Sequence, residues 1–282
     1  MDGAAMGALA GARVDATVFA AYGTTRERAR ATAIEPVFCA VADAAGVPCE
    51  LAFCGPAVCR LLARRGEDVP ELERVLEQVA AAGTRRVAVA SGMIVDGWAQ
   101  ANLCERVDAA AERLGLECAT VGAPLLADAA DVAYLAAALM EAWAPEPGVV
   151  TLFAGHGIGG PADSDYEPDR DAFDAYGALG AAFARAGRDD LAVACLSDGA
   201  AAALRAARGL AEPGTTVRLV PLMLAAGRHV LKNMGGADER SWASALAAAG
   251  YVPRLCDRGL GELSAVQELF AHHARALCAK NE

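Results

Sequence analysis

Two histidines define the chemistry open to this chain. His156 stands between Gly155 and Gly157 at the end of an apolar run, Leu152-Phe153-Ala154. His229 follows a second, largely apolar run, Val217–Leu224, after a short stretch of small residues and Arg228. A neutral imidazole binds borderline divalent metals and accepts a proton near neutral pH. The glycines around His156 let backbone and ligand approach closely. Tyr22-Gly23-Thr24-Thr25 ends another apolar run and leads into a helix. Its exposed N–H groups, with Arg26, suit an anion. Arg228 and Lys232 offer cations from the other side. Cys195 is open to two readings: a thiolate ligand for a soft or borderline metal, or a small apolar strand residue. Asp163, Asp165, Glu167, Asp169 and Asp171 alternate after His156. They either attract a cation or form a solvated loop. His272 and His273 fall on the last amphipathic run and read as a solvated helix face.

The elements that must position these groups come in two similar sets. Val18–Gly23 matches Leu152–Gly157, and Val87–Gly97 matches Val217–Gly227, at similar separations in each half. Only the second half carries histidine. Strand-like and helix-like runs alternate, which predicts parallel sheets. Strands are expected at 17–21, 50–53, 86–90, 117–121, 149–154, 191–196, 217–220 and 252–255. The ends at Tyr22, Ala90, Ala154, Leu196 and Val220 are expected to share one cleft. Helices are expected at 56–64, 70–82, 100–114, 131–143, 172–186, 200–209, 239–248 and 265–279. On 100–114, Leu103, Val107, Ala110 and Leu114 share one face. Ala144-Pro145-Glu146-Pro147-Gly148 is a linker. The fold class is therefore α/β, with two similar domains, each a parallel sheet flanked by helices. Residues 1–13 form a flexible start, 14–144 the first domain and 145–262 the second, which carries the metal site. The helix at 263–282 returns to pack on the first domain.

Composition narrows the function. The formal charge is −11, which argues against nucleic acid, whose phosphates need clustered Lys and Arg. No apolar stretch approaches a membrane span. The start lacks the basic residues of a secretory signal. Nine cysteines without a CxxC pair fit reduced thiols better than a disulfide framework. A cytoplasmic location follows from these readings. Oligomeric state stays open, a homo-oligomer included.

The ordered set of short motifs resembles a known family. Besides Tyr22-Gly23-Thr24-Thr25 and Gly155-His156-Gly157, it includes Phe173-Asp174-Ala175-Tyr176 and Pro221-Leu222-Met223-Leu224. Ala226-Gly227-Arg228-His229, Asn233-Met234, Ser241-Trp242 and Gly259-Leu260-Gly261-Glu262 complete it. Together they resemble the CbiK-type sirohydrochlorin cobaltochelatases of anaerobic cobalamin synthesis, of the class II chelatase fold shared with ferrochelatase. The resemblance covers about Val18 to Leu277. It implies two α/β domains around a tetrapyrrole cleft and insertion of Co²⁺ into sirohydrochlorin, with Fe²⁺ or Ni²⁺ as further metals and no organic cofactor. It assigns His156 and His229 as the metal ligands and acceptors of pyrrole protons. Tyr22, Gly23, Thr24, Thr25, Met93, Gly157 and Arg228 become substrate-binding residues.

The chain departs from that pattern in four places. The family's ligand glutamate falls on Cys195 or Leu196, with Asp198 the nearest carboxylate. Met93 stands where a histidine is frequent. The acidic stretch after His156 is an insertion, and Arg228 with Lys232 occupies a segment that tends to be acidic. A relative that binds a tetrapyrrole or metal without catalysis, or one re-specialised, is therefore an alternative reading. A two-lobed solute- or haem-binding protein is another.

Overall fold

The computed structural model describes residues 14–161, 164–169 and 172–279. The expectations for residues 1–13, Asp163 and Asp171 lie outside them. The chain builds two parallel four-stranded sheets of the same topology. The first joins β1 (Ala16–Ala21), β2 (Cys49–Phe53), β3 (Arg86–Ser91) and β4 (Cys118–Val121) in the order β2-β1-β3-β4. The second joins β5 (Val149–Gly155), β6 (Leu191–Cys195), β7 (Thr216–Pro221) and β8 (Val252–Leu255) in the order β6-β5-β7-β8. The expected α/β duplication is thus seen in the sheets themselves. Each order reverses direction between its first and third strands, and the crevice outside such a reversal is where open sheets receive ligands.

Side-chain alternation explains why both sheets are covered on both faces. On β1, Phe19 and Ala21 enter one buried cluster while Ala16, Val18 and Ala20 enter another. On β7, Val220 joins the first cluster while Val217 and Leu219 join a third. The first cluster runs through both halves. Phe19 meets Phe270 at 5.9 Å between ring centroids, and Phe153 lies 5.5 Å from Trp143. Phe270 belongs to α10 (Ser264–Ala279), which lies along α2 (Glu35–Ala45) of the first half.

Most boundaries differ from expectation by a residue or two, and caps account for several. Asp174 accepts a hydrogen bond from the Gly177 N–H, so α7 (Ala175–Arg185) starts after residue 172. Ser241 caps α9 (Trp242–Ala248) in the same way. The helix after Thr25 begins as α1 (Glu27–Ala29). It then widens into a π-turn over Arg30–Ile34 before α2. No helix among the described residues is long and apolar enough to cross a membrane.

His273 is not a solvated residue. Its Nε2 lies 3.0 Å from Oδ1 of the buried Asp131, in α6 (Ala129–Ala142). The reason is that this face of α10 turns toward α6, whereas His272 remains exposed.

Candidate active site

The two crevices at the strand-order reversals open into one cavity of about 510 Å³, within the usual size range for small-molecule sites. The first sheet supplies Tyr22, Gly23, Thr24 and Thr25 after β1, and Gly92 through Val95 after β3. The second supplies His156 and Gly157 after β5, and Leu222 through Ala225 after β7, followed by Gly227, Arg228 and His229. Of the five expected strand ends, Tyr22 lines the cavity itself, Ala90, Ala154 and Val220 reach it only through the residues that follow them, and Leu196 does not reach it. It follows β6, an edge strand on the far side of β5 from β7.

His156 and His229 face each other with ring centroids 4.7 Å apart and planes at 89°. Both residues are exposed and line the cavity. Burial lowers the pKa of His156. Burial also lowers that of His229, and the neighbouring His156, Arg228 and Lys232 lower it further. Both shifts favour neutral imidazole, the form that binds metal and accepts a proton.

The backbone beneath His156 is fixed by its neighbours. Gly157 has φ +102°, a conformation that suits glycine. A Cβ on Gly155 would lie 2.6 Å from the ring of Tyr176, so a side chain there has no room. Tyr176 is packed against this turn, and burial pushes its phenol pKa up while the His156 and Gly157 amides oppose that rise. The Ser197 N–H donates to the His156 carbonyl at 3.2 Å. His229 opens a single π-turn, Val230–Met234. The side chain of Asn233 lies 3.0 Å from its Nδ1.

The remaining candidates divide by position. Met93 is buried at the cavity wall, and Met223 occupies the matching place after β7. Arg228 and Lys232 line the rim beside His229. Arg26 does not serve as a free anion donor. Its guanidinium is bidentate to Asp257, at 2.5 and 2.7 Å, and donates to the Ala226 carbonyl at 2.5 Å. Asp257 comes from the second half, so this arginine bridges the halves instead. Cys195 lies beneath Gly157, outside the cavity lining, and burial pushes its thiol to about 11. Asp198 and the described acidic residues Asp165, Glu167 and Asp169 are also outside the lining. Among the described residues no group of three or more His, Cys, Asp or Glu could hold a metal ion.

Trp98 and Ile158 line the cavity without having been singled out in the sequence, and Tyr176, Met223 and Asn233, members of the short motifs, line it without having been given a site role there. Ile158 and Trp98 join the halves, the Trp98 N–H donating to the Ile158 carbonyl at 2.9 Å. That contact links residues far apart in sequence and leaves no local signal. Asn233 was detectable, because i and i+4 side chains share a helix face.

Known proteins resemble this chain over most of its length. The family model described as cobalt chelatase (CbiK) matches residues 15–278. A curated relative from Nitratidesulfovibrio vulgaris, sirohydrochlorin cobaltochelatase CbiKC, is 32% identical over 238 residues, covering 82% of this chain and 79% of that protein. The sirohydrochlorin cobaltochelatase of Salmonella typhimurium is 28% identical over 232 residues, 78% of each chain. Among solved structures, SirB from Bacillus subtilis with Fe³⁺ superposes with a TM-score of 0.60 at 14% identity, covering 94% of this chain and 95% of that one. DR2241 from Deinococcus radiodurans gives 0.52 at 18% identity, over 96% of this chain and 56% of that one. At those identities the structural likeness speaks to fold alone.

Proposed function

The chain belongs to the cobalt chelatase (CbiK) family and is a metal chelatase of the lyase type, and from that premise we propose that it inserts Co²⁺ into sirohydrochlorin in cobalamin synthesis. The observation that carries the site assignment is the facing pair of imidazoles at one end of the shared cavity. His156 and His229 hold the incoming metal ion. Insertion exchanges two pyrrole N–H protons for one divalent cation, and each histidine takes one of those protons as its bond to the metal is released. Two neutral nitrogen ligands grip a divalent ion less firmly than a closed four-ligand cage, which suits a metal that must leave. Cys195 lies outside the cavity lining and takes no part in that grip.

Tyr22, Gly23, Thr24 and Thr25 bind the macrocycle from the first half, with Met93 packing on its face. Gly157 leaves room for its edge. Arg228 and Lys232 meet its peripheral carboxylates. The supporting feature is that these residues line the same cavity as the histidines. We read residues 14–144 and 145–262 as two domains around that cavity, with the terminal helix returning to the first.

The test is spectral. Purified protein, sirohydrochlorin and Co²⁺ are mixed without oxygen, and the metallated spectrum is followed against the spontaneous rate. A rate well above background is expected, with Fe²⁺ and Ni²⁺ compared in parallel. No acceleration with any of the three ions would leave the alternative, a relative that binds a tetrapyrrole or metal without inserting it.

A further inference from the structure

The chain carries 36 Asp and Glu against 25 Lys and Arg, yet no described Asp or Glu lines the cavity, whereas Arg228 and Lys232 of the second half do. The charge at this site is opposite in sign to that of the molecule, as a seat for an anionic ligand requires. The first half brings its own cations on α3 (Pro56–Ala63). Cys59 and Leu62 of this helix are buried in the core, while Ala57, Val58 and Leu61 line the cavity. Arg64 caps the helix with helical dihedrals, so Ala57, Leu61 and Arg64 fall on one stripe at i, i+4 and i+7. Arg60, three residues after Ala57, stands beside that stripe. Both arginines are exposed, and neither has a carboxylate partner among the described residues. Arg65 follows. Its guanidinium donates to the carbonyl of Thr25, itself a cavity-lining residue, at 2.9 Å. Its side chain is 54% exposed, and its carboxylate neighbour Glu67 is 3.9 Å away and held by Arg30 at 2.6 Å.

We propose that Arg60, Arg64 and Arg65 form a second carboxylate-binding edge, so that the cavity selects macrocycles with acid groups around the whole periphery over those with acid groups on one side only. The proposal rests on the reading of the cavity as a tetrapyrrole site. A flat ring that enters between the halves meets Arg228 and Lys232 on the second half and the α3 arginines on the first. The apolar wall of Ala57, Val58 and Leu61 suits the ring itself, and those side chains offer its acid groups no hydrogen bond. An acid group above that wall therefore needs a donor at the rim. A guanidinium supplies a planar, permanently charged fork that matches a carboxylate. Arg60 and Arg64 are free to make that contact because no described carboxylate holds them. Arg65 keeps further N–H groups beyond the one given to Thr25. A macrocycle with acids on one side only satisfies Arg228 and Lys232 and gains nothing from α3.

Binding is measured without metal and without oxygen, so that it does not depend on insertion. The probes are sirohydrochlorin, with acid groups on all four rings, and mesoporphyrin, with acid groups on two adjacent rings. Quenching of tryptophan fluorescence reports both, since Trp98 lines the cavity. The wild type is expected to prefer sirohydrochlorin. Arg60→Gln, Arg64→Gln and Arg65→Gln are each expected to weaken sirohydrochlorin about two- to fivefold, as loss of an exposed ion pair does, and the triple variant about tenfold or more. Mesoporphyrin is expected to change by less than about twofold. Arg60→Lys/Arg64→Lys/Arg65→Lys keeps the charge and is expected to retain most of the affinity. Arg185→Gln/Arg205→Gln/Arg208→Gln removes the same charge from exposed positions outside the cavity lining and is expected to bind both probes as the wild type does. In the insertion assay the α3 triple glutamine variant is expected to raise KM for sirohydrochlorin with kcat within about twofold. Equal losses in the two triple glutamine variants would assign the effect to net charge and overturn the proposal. So would a wild type without the preference, an unchanged affinity in the α3 variant, or the same loss for both macrocycles. Unchanged binding in the α3 variant of an active enzyme would refute this edge alone. Binding that depends on the α3 arginines in a protein that does not insert Co²⁺ would refute the insertion reading alone. A wild type that binds neither macrocycle would overturn both.

Discussion

At the scale of single residues, the two imidazoles combine openness to the cavity with a depressed pKa. His156→Ala and His229→Ala are each expected to reduce Co²⁺ insertion about 10²–10⁴-fold, the usual contribution of a positioned proton acceptor. Thermal unfolding is expected to stay close to that of the wild type, since neither ring holds core. The pH dependence has a definite sign. Both folded pKa values lie below 6.5, so the rings stay neutral to a lower pH than free histidine. The insertion rate at saturating substrate is expected to fall on an acid limb whose midpoint lies below 6.5, measured under anaerobic conditions. Stability follows the same groups. Below pH 6.5 the unfolded chain binds these protons more readily than the folded one, so this contribution, intact above 6.5, is lost as pH falls from there through the lower folded values. Cys195→Ser is expected to leave the insertion rate within about twofold, because the side chain lies outside the cavity lining. Loss of activity in that variant would restore the thiolate as a ligand. The histidines were legible in the sequence because small residues and strand-like runs surround them. The engagement of Arg26 was not, because its partner Asp257 is more than two hundred residues away and charge alone does not reveal pairing.

Among the elements, the turn that carries His156 depends on the absence of a side chain at Gly155. Gly155→Ala would drive a Cβ into the ring of Tyr176. Overpacking of this kind costs about 1–3 kcal/mol. A lower urea midpoint with an unchanged slope is expected, together with a lower insertion rate as His156 is displaced. A variant with the midpoint of the wild type would show that the turn yields more readily than the packing implies. Parallel strands were readable from alternating apolar and helical runs, and β8 was placed to the residue. The π-turn over Arg30–Ile34 was hidden, because one extra residue in a turn leaves the apolar pattern on both sides intact. His273 was misread for a related reason. Helical spacing shows which residues share a face, but only the packed fold shows that α10 presents this histidine to Asp131.

At the scale of the whole molecule, one apolar cluster passes through both halves and includes the returning helix α10. Phe19→Ala removes a fully buried ring from it, and a loss of about 3–5 kcal/mol is expected. Near-ultraviolet dichroism and tryptophan fluorescence are expected to report one coincident unfolding transition in both the variant and the wild type. Separate transitions would mean that the halves are held independently despite the common core. The origin of the two histidines has a consequence for the order of events. Both belong to the second sheet, after β5 and β7, which are hydrogen-bonded neighbours. Their spacing is therefore an internal property of one lobe, indifferent to how wide the mouth stands. On the proposed function, the ion is then expected to bind before the macrocycle or after it, without either rebuilding the other's seat. Such a device has no compulsory queue. On the proposed function, its initial-rate patterns with respect to the two substrates are expected to be those of random arrival, and a strictly ordered pattern would mean that one substrate builds the other's seat.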